Sequence, residues 1–242
     1  MTRPIRIEGE TVAGEIVTAF VLTHGGDPST ELAERGWSLI GPVAAFTPAD
    51  SDEVIIRVRV AADLGAGERH TTWTAGHAPE AVPAGVVPIQ VQRVAAYAVV
   101  VRDADVLLTQ LSHRVRGVPG RWTLPGGGVE PGEDPGTGLR REVWEETGQH
   151  LGSVQLIDLL TAHWVGQGPD GVWEDYQVVR LVYAASVPEP EPLVVHDVGG
   201  TTAQAAWVPA QGVLAGRAST LAWHRWPGWL SHGSGRTKPT PR

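Results

Sequence analysis

The stretch of sequence that decides the fold reads GGVEPGEDPGTGLRREVWEETGQ and runs from Gly127 to Gln149. Asp134 followed by Pro135 indicates the start of a helix, because an aspartate side chain caps free backbone N–H groups and proline fits the first helical position. Gly148 can adopt the left-handed conformation in which many helices end. The stretch therefore predicts a helix from Pro135 to about Thr147.

Three glutamates share one face of this helix, because Glu142, Glu145 and Glu146 stand at positions i, i+3 and i+4. Gly138, one turn earlier on the same face, allows another backbone or a ligand to come close. At about 5 Å and an effective dielectric constant near 20, each pair of carboxylates repels by roughly 3 kcal/mol. A fold keeps such a cluster on a solvated acidic helix, or binds a cation in it. The chain has no cysteine, and oxygen ligands favour Mg²⁺ or Mn²⁺ over Zn²⁺.

The spacing of these residues resembles the Nudix box, whose pattern is G, five residues, E, seven residues and R-E-apolar-x-E-E-x-G-apolar. The positions that match in register are Gly127, Glu133, Arg141, Glu142, Val143, Glu145, Glu146 and Gly148. Seven of them are fixed residue types, so a chance match at a given start has a probability on the order of 10⁻⁸. Gln149 departs from the pattern where the family has an apolar residue that packs behind the box. This departure concerns local packing rather than metal binding.

The resemblance covers roughly residues 92–225 and includes the run GRWTLPGGG that precedes the box. It implies an α+β fold, the α/β/α Nudix sandwich with a mixed β-sheet. It also implies Mg²⁺- or Mn²⁺-dependent hydrolysis of a diphosphate linkage in a nucleoside diphosphate derivative or nucleoside triphosphate. It assigns metal binding and catalysis to Glu142, Glu145 and Glu146. The residues that support the loop-helix-loop are Gly127, Glu133, Arg141 and Gly148. Among these, we expect Arg141 to hold Glu133.

The group that accepts the proton from the attacking water varies within the family between a box glutamate and an acid in a downstream loop. The downstream candidates here are Glu174, Asp175 and Asp197, and the sequence leaves the choice open. Candidates for substrate contact are three arginines before the box and an aromatic residue able to stack on a base. They are Arg114, Arg116, Arg121 and Trp164. A solvated loop explains the arginines equally well. The markers of the ADP-ribose and dinucleoside polyphosphate subfamilies are not at their positions past the box, so the nucleotide is not assigned.

The charge balance of the chain restricts its partners. Its 242 residues carry a formal net charge of −8, whereas a protein that binds nucleic-acid duplexes needs a basic face. The longest apolar run, Val94 to Val101, is too short to span a bilayer, and the first residues do not resemble a signal peptide. The lack of asparagine and the single lysine are typical of a GC-rich bacterial genome. We expect a cytoplasmic bacterial enzyme that binds a small nucleotide-like molecule, and homodimerisation stays open.

The remaining sequence predicts a small, β-rich α+β domain of unknown role at residues 1–85, with a linker-like segment at 63–86. A hydrolase domain at 87–230 and a flexible tail at 231–242 follow. The predicted strands are Gly14 to Thr23, Gly36 to Phe46, Asp52 to Ala62, Ala95 to Arg102, Asp105 to Leu111, Val154 to His163, Tyr176 to Ser186 and Gln204 to Val208. Helices are expected from Pro28 to Arg35, behind the cap Asp27, and from Ala210. We expect residues 1–85 to pack, dimerise or set specificity, with the chemistry confined to 92–225.

Two functions of other classes are open on the sequence alone. The first is a Nudix-fold sensor that binds a ligand without hydrolysing it and uses the N-terminal region as a partner domain. The intact glutamates argue against it, because a pure binder does not need all three. The second is a Nudix-related isomerase acting on an allylic diphosphate, which usually requires a catalytic cysteine that this chain does not have.

Overall fold

The computed structural model describes residues 3–63, 72, 81–115, 120–168, 170–214 and 225–233. The chain groups into two compact units. Unit 1 comprises Met1–Ala96, Gly127–Gly138 and Leu156–Val182, and unit 2 comprises Tyr97–Gly126, Leu139–Gln155 and Tyr183–Arg242. The domain limits expected from the sequence, at residues 85 and 87, stay a prediction.

The described residues form eleven strands and four helices. The strands are β1 Ile5–Glu10, β2 Ile16–Val21, β3 Trp37–Phe46, β4 Val54–Ala62, β5 Ile89–Arg102, β6 Asp105–Leu111, β7 Trp122–Thr123, β8 Gly126–Gly128, β9 Val154–Gln167, β10 Trp173–Ala185 and β11 Thr202–Pro209. The helices are α1 Pro28–Glu34, α2 Pro135–Thr147, α3 Ala210–Leu214 and α4 Trp226–Gly233. None of these helices is both long and apolar enough to cross a membrane.

The N-terminal residues form a four-stranded sheet in the order β2-β1-β4-β3. Strand β1 is parallel to β4, whereas the pairs β1–β2 and β3–β4 are antiparallel. Strand β1 was not predicted, because its six residues include a glycine and two glutamates, and its parallel partner is distant in the sequence. Ile5, Ile7 and Ile56 are fully buried, so the apolar half of each alternating strand forms the core of this sheet.

The polar half of the same alternation is paired across the two parallel strands. Glu8 lies in register with Arg57, and Glu10 lies in register with Arg59. Their side chains form ion pairs at 2.8 Å for Glu8–Arg57 and 2.9 Å for Glu10–Arg59. The acids near the start of the chain therefore neutralise the basic residues of the segment IIRVRV.

Helix α1 begins as predicted, with Pro28 in its first turn and the Asp27 carboxylate accepting from the Thr30 N–H at 3.0 Å. Asp27 also accepts a hydrogen bond from the hydroxyl of Thr72, which is fully buried. Thr72 is part of the segment expected to be a linker, and its carbonyl accepts from the Thr161 N–H at 2.6 Å. Thr72 is thus anchored at both its side chain and its carbonyl, whereas 64–71 and 73–80 lie outside the described residues. The linker-like interpretation of 63–86 stays a prediction.

A seven-stranded sheet contains the remaining strands, in the order β11-β6-β5-β10-β9, with β7 paired to β6 and β8 paired to β5. The α+β fold with a mixed β-sheet is thus confirmed. Strands β5, β9 and β10 are longer than predicted, and β5 starts at Ile89 rather than Ala95. The added residues include Gln90 and Gln92, polar residues that the hydrophobic pattern does not mark as strand.

Helix α2 has the predicted bounds, because its end signals are local. The Asp134 carboxylate accepts from the Gly136 N–H at 2.9 Å, and Gly148 follows the last turn with φ +71°. Leu139 and Val143 are fully buried on its apolar face. Helix α3 starts at Ala210 as expected, whereas α4 continues to Gly233. The tail predicted from 231 is therefore helical at its first three residues, and 234–242 lie outside the described residues.

Candidate active site

The acidic face of α2 carries an arginine between two of its three glutamates. The Nη1 atom of Arg141 donates to Glu142 Oε1 at 2.9 Å and to Glu145 Oε2 at 3.2 Å. The Glu145 side chain is 35% exposed and that of Glu142 is 20% exposed, so water reaches both carboxylates. One guanidinium nitrogen thus lies where two carboxylates converge. The expected contact of Arg141 with Glu133 stays a prediction.

Glu146 differs from the other two glutamates in being buried, with 6% of its surface exposed. Its Oε2 accepts from the Gly126 N–H at 2.8 Å, and its Oε1 accepts from the Thr202 hydroxyl. Burial raises the pKa of Glu146 to about 7, although these two hydrogen bonds oppose the shift. The negative charges of Glu142 and Asp197 raise this pKa further. The carboxylate is therefore firmly positioned and has an excess of negative charge around it.

The segment that follows β10 lies along the last turns of α2. The backbone N–H groups of His196 and Asp197 donate to the Glu145 carbonyl at 2.7 and 3.2 Å. The His196 ring stacks on Trp144, with centroids 4.2 Å apart and planes inclined by 12°. Asp197, one of the three downstream acids, is thereby held near the glutamates, where its charge acts on Glu146.

The loop before α2 is held within unit 1 by an arginine that the sequence did not indicate. Arg3 donates to the carbonyls of Glu130 and Glu133 at 2.9 and 3.0 Å, and its Nε donates to the Asp52 carbonyl at 2.6 Å. Arg3 is a single basic residue outside any motif, so no pattern marks it. Arg3 therefore fixes the backbone of the box loop. The expectation that the chemistry is confined to residues 92–225 stays a prediction.

Two box residues of unit 1, Glu133 and Gly138, pack against each other. The Glu133 carboxylate accepts from the Glu130 N–H at 3.0 Å. A Cβ atom placed on Gly138 would lie 2.7 Å from Glu133 Oε2, closer than two such atoms approach. The close neighbour of Gly138 is thus the side chain of Glu133, whereas the sequence led us to expect another backbone or a ligand. Gly127, at the centre of β8, is half-buried.

Gln149, which departs from the family pattern, is fully buried and hydrogen-bonded. Its Nε2 donates to the Glu191 carbonyl at 2.9 Å, and its Oε1 accepts from the Glu191 N–H at 3.1 Å. A buried amide is tolerated when its polar atoms have such partners. The two bonds to one backbone unit therefore explain how a polar side chain replaces an apolar one behind the box.

The other predicted site residues are distributed over both units. Arg114 and Arg121 are exposed in unit 2, and Arg116 lies outside the described residues. In unit 1, Trp164 packs on Tyr176 with ring centroids 4.5 Å apart, so its face is shared with another side chain. Glu174 and Asp175 also belong to unit 1, where Asp175 contacts two histidines, His24 and His163.

The donor set on α2 fits a hard divalent cation. All of its ligand atoms are carboxylate oxygens, which Mg²⁺ and Mn²⁺ prefer. The Arg141 nitrogen shows that Glu142 and Glu145 can share one cation. The raised pKa of Glu146 shows that its burial and the neighbouring charges favour its protonated form, a penalty that a nearby cation would relieve.

Comparison with known proteins gives consistent matches. The model of the family described as NUDIX domain matches residues 91–226. The nucleoside triphosphatase NudI of Escherichia coli O1:K1 is 46% identical over 99 residues, which are 38% of this chain and 67% of that protein. NudI of Salmonella schwarzengrund is 48% identical over 61 residues, 25% of this chain and 43% of that protein.

Solved structures with similar folds include a MutT NUDIX hydrolase from Burkholderia pseudomallei. It is 23% identical with a TM-score of 0.41, and the match covers 58% of this chain and 97% of that one. A NUDIX hydrolase from Nitrosomonas europaea is 22% identical with a TM-score of 0.43, over 59% of this chain and 90% of that one.

The α+β fold with an acidic helix between two glycine-containing loops is the arrangement that the resemblance to the Nudix box implies. The family match spans more than half of the 242 residues, and the chain therefore belongs to the NUDIX family, as a Nudix hydrolase. The resemblance that Gly127 to Gln149 indicated is thus confirmed, as is the enzyme class. Members of this class act on small nucleotide substrates and generally use divalent cations.

Proposed function

We propose that this enzyme hydrolyses a diphosphate linkage in a nucleoside triphosphate or a nucleoside diphosphate derivative. We further propose that Glu142, Glu145 and Glu146 hold the Mg²⁺ or Mn²⁺ that the reaction requires. The observation that carries the proposal is the cluster itself, in which one cationic nitrogen bridges two carboxylates beside the buried Glu146. Because the relatives are named nucleoside triphosphatases, nucleoside triphosphates are the first substrates to test.

The divalent cation would neutralise phosphate charge and lower the pKa of a bound water. The residues of the chain prepare its site. Gly126 and Thr202 fix the orientation of the Glu146 carboxylate, so one ligand is pre-positioned. Arg141 keeps Glu142 and Glu145 together, and it would have to give up at least one of them when a metal takes their oxygens. Metal binding would therefore replace at least one contact of the Arg141 guanidinium with a contact to the metal ion.

For the proton acceptor we favour Asp197 over the other two downstream acids. Its backbone is tied to α2 through the Glu145 carbonyl, and its side chain is exposed, where it can meet an incoming water. The oxygens of Glu146 are already engaged by two donors. Asp175 is engaged by two histidines, which makes it less available as a base.

A screen for phosphate and pyrophosphate release would test the proposed function. The full chain is incubated with the common nucleoside triphosphates and with a panel of nucleoside diphosphate derivatives, in Mg²⁺, in Mn²⁺ and in excess EDTA. We expect turnover of at least one substrate with either metal and none in EDTA. Tight binding without turnover would favour a ligand sensor, and full activity in EDTA would contradict the metal assignment.

The features of the protein that lie beyond the site are part of the same proposal. We infer a cytoplasmic bacterial enzyme with no nucleic-acid or membrane partner, on the basis of its acidic net charge of −8. Residues 1–85 would support the catalytic loop through Arg3 and contribute to specificity or dimerisation. Size-exclusion chromatography with light scattering on the full chain would determine the association state.

A further inference from the structure

Unit 1 contains a second group of titratable side chains, which the hydrolysis described above does not use. It consists of His24 in the turn after β2, His163 on β9 and Asp175 on the neighbouring strand β10. The Nε2 atom of His163 lies 2.5 Å from Asp175 Oδ1, and that of His24 lies 3.3 Å from Asp175 Oδ2. One ligand atom from each residue lies within 4.8 Å of the other two. Among the described residues, this group meets the spacing of a metal site.

The two imidazole rings are not explained by hydrogen bonding alone. Both ring nitrogens of His24 are buried, and neither makes a hydrogen bond among the described residues. The Nε2 atom of His24 is thus close to Asp175 Oδ2, but the two atoms do not have hydrogen-bond geometry. The rings of His24 and His163 meet edge to face, with centroids 5.6 Å apart. A buried ring nitrogen without a partner is costly, and a bound metal ion removes that cost.

The loop that carries His24 is rigidly held by a buried amide. Gln177, two residues after Asp175 on β10, accepts from the Gly25 N–H at 2.9 Å and donates to the Gly26 carbonyl at 2.7 Å. Gln92 donates to the same Gln177 oxygen at 2.8 Å. The backbone on the C-terminal side of His24 is therefore fixed by residues that do not contact the metal position. Partners outside the ligand set commonly orient metal ligands in this way.

A glycine next to His24 completes this arrangement. Gly25 has φ +75°, a conformation that favours glycine, and the place of its missing Cβ lies 3.5 Å from the His163 ring. The turn can therefore bring His24 close to His163 without strain. Histidine and aspartate side chains from three separate segments thus lie close together, and the backbone conformation at Gly25 allows this arrangement.

We propose that His24, His163 and Asp175 form a binding site for a divalent transition-metal ion of the Zn²⁺ type. Two imidazoles and one carboxylate form a ligand set found in zinc sites that leave a fourth position for water. Imidazole ligands favour Zn²⁺ and its transition-metal neighbours over Mg²⁺. Two ligands at about 2.0–2.1 Å from a tetrahedral ion lie about 3.4 Å apart, close to the 3.3 Å between His24 and Asp175. The distance between His163 Nε2 and Asp175 Oδ1 would have to lengthen from 2.5 Å to about 3.4 Å.

A Co²⁺ titration of the full chain tests the site, because Co²⁺ replaces Zn²⁺ and its visible absorption reports tetrahedral nitrogen and oxygen ligands. The titration is done on Glu145→Gln/Glu146→Gln protein, so that the glutamates of α2 do not compete. We expect one Co²⁺ per chain with visible absorption, displaced by Zn²⁺ but not by excess Mg²⁺. A Zn²⁺-induced rise in Tm should accompany binding.

Variants of the ligands decide whether these residues bind the ion. His24→Ala, His163→Ala and the isosteric Asp175→Asn should each weaken Co²⁺ binding by at least about 100-fold, more than most losses of an outer partner. Gln177→Leu, which keeps the ligands and frees the loop, should weaken it by about 10- to 100-fold. The control is His150→Ala, at an exposed histidine outside the group.

Circular dichroism and the melting curve of each variant establish that it is folded. If the folded Asp175→Asn protein binds Co²⁺ as the parent does, the assignment is overturned. The absence of Co²⁺ absorption in the parent protein would overturn it as well. If only the variants with Ala fail to fold, Asp175→Asn still decides the outcome.

Discussion

The glutamate cluster of unit 2 and the histidine–aspartate group of unit 1 differ in how they compensate charge. On α2, Arg141 bridges Glu142 and Glu145, while Glu146 keeps a raised pKa near 7. In unit 1, burial acts to raise the pKa of Asp175, but His163 and His24 together lower it. The glutamate cluster therefore favours a hard cation that adds positive charge. The histidine–aspartate group has nitrogen ligands, which favour a softer metal. Both groups contain acidic side chains, and they differ in the chemical type of their ligand atoms.

The largest expected effect concerns the proton acceptor. Asp197→Asn should lower kcat by about 10²- to 10⁴-fold, the usual contribution of a positioned general base. The acid limb of the pH–rate profile should disappear with it. The control is Asp170→Asn, at an exposed aspartate of unit 1. If Asp197→Asn keeps kcat within a few-fold and the acid limb persists, another group accepts the proton.

The second effect is a pH dependence of stability with opposite sign in the two groups. Glu146 keeps its proton to a higher pH when folded, so its contribution to the free energy of unfolding is full below pH 4.5 and falls as the pH rises to about 7. The loss amounts to about 3 kcal/mol, since each pKa unit corresponds to about 1.4 kcal/mol. The pKa of Asp175 is lowered, so its contribution is lost as the pH falls through the folded pKa.

Urea unfolding in EDTA between pH 3 and 8 measures both contributions. Glu146→Gln should flatten the slope from about pH 4.5 to 7, and Asp175→Asn should flatten the acid side. Glu145→Gln is the matched control on the same helix, because its side chain is 35% exposed and solvated. A Glu146→Gln protein with an unchanged slope above pH 4.5 would remove the basis for the buried-carboxylate account.

The third effect is stabilisation by Mg²⁺. At about 100 times its Kd, a ligand that binds only the folded state stabilises it by roughly 2.7 kcal/mol. Glu145→Gln should leave the metal-free protein equally or more stable, because it removes one repelling charge, and should reduce the response to Mg²⁺. Melting curves with and without Mg²⁺ measure both. A variant that is less stable without metal yet responds normally would contradict the cluster.

The smallest effect concerns Gln149. Gln149→Leu restores the apolar residue of the family pattern but leaves the Glu191 backbone groups without their side-chain partners. Because Glu191 is exposed, water can replace the lost hydrogen bonds, and we expect a loss of about 1 kcal/mol or less. Urea unfolding at one pH measures the change. A loss of several kcal/mol would mean that these two bonds hold the segment after β10 in place.

The structural features that the sequence predicted are those that depend on residues close together along the chain. The bounds of α2 follow from Asp134, Pro135 and Gly148, and the shared face of the glutamates follows from helical spacing. Family spacing also indicated the enzyme class. These features need no knowledge of distant contacts. The structure agrees with the helix bounds, and the family match agrees with the enzyme class.

Features created by distant contacts were not visible in the sequence. Strand β1 is paired with a parallel partner about fifty residues away, and Glu146 accepts a hydrogen bond from Thr202. Arg3, near the start of the sequence, holds the box loop, which lies in the middle of the sequence. The sequence marked Asp175 only as a candidate proton acceptor, because only folding brings it to His163 and His24. In each case the decisive neighbour lies more than forty residues from its partner.

The most direct test of the central claim compares the hydrolysis rate of the full chain with that of Glu146→Gln. Both are measured on the best nucleoside triphosphate, in saturating Mg²⁺, with Glu34→Gln on α1 as the exposed control. We predict a loss in kcat of at least about 100-fold for Glu146→Gln, typical for removal of a charge-stabilising group, and no change for Glu34→Gln. A folded Glu146→Gln protein that hydrolyses the substrate at the parent rate would contradict catalysis by the acidic face of α2.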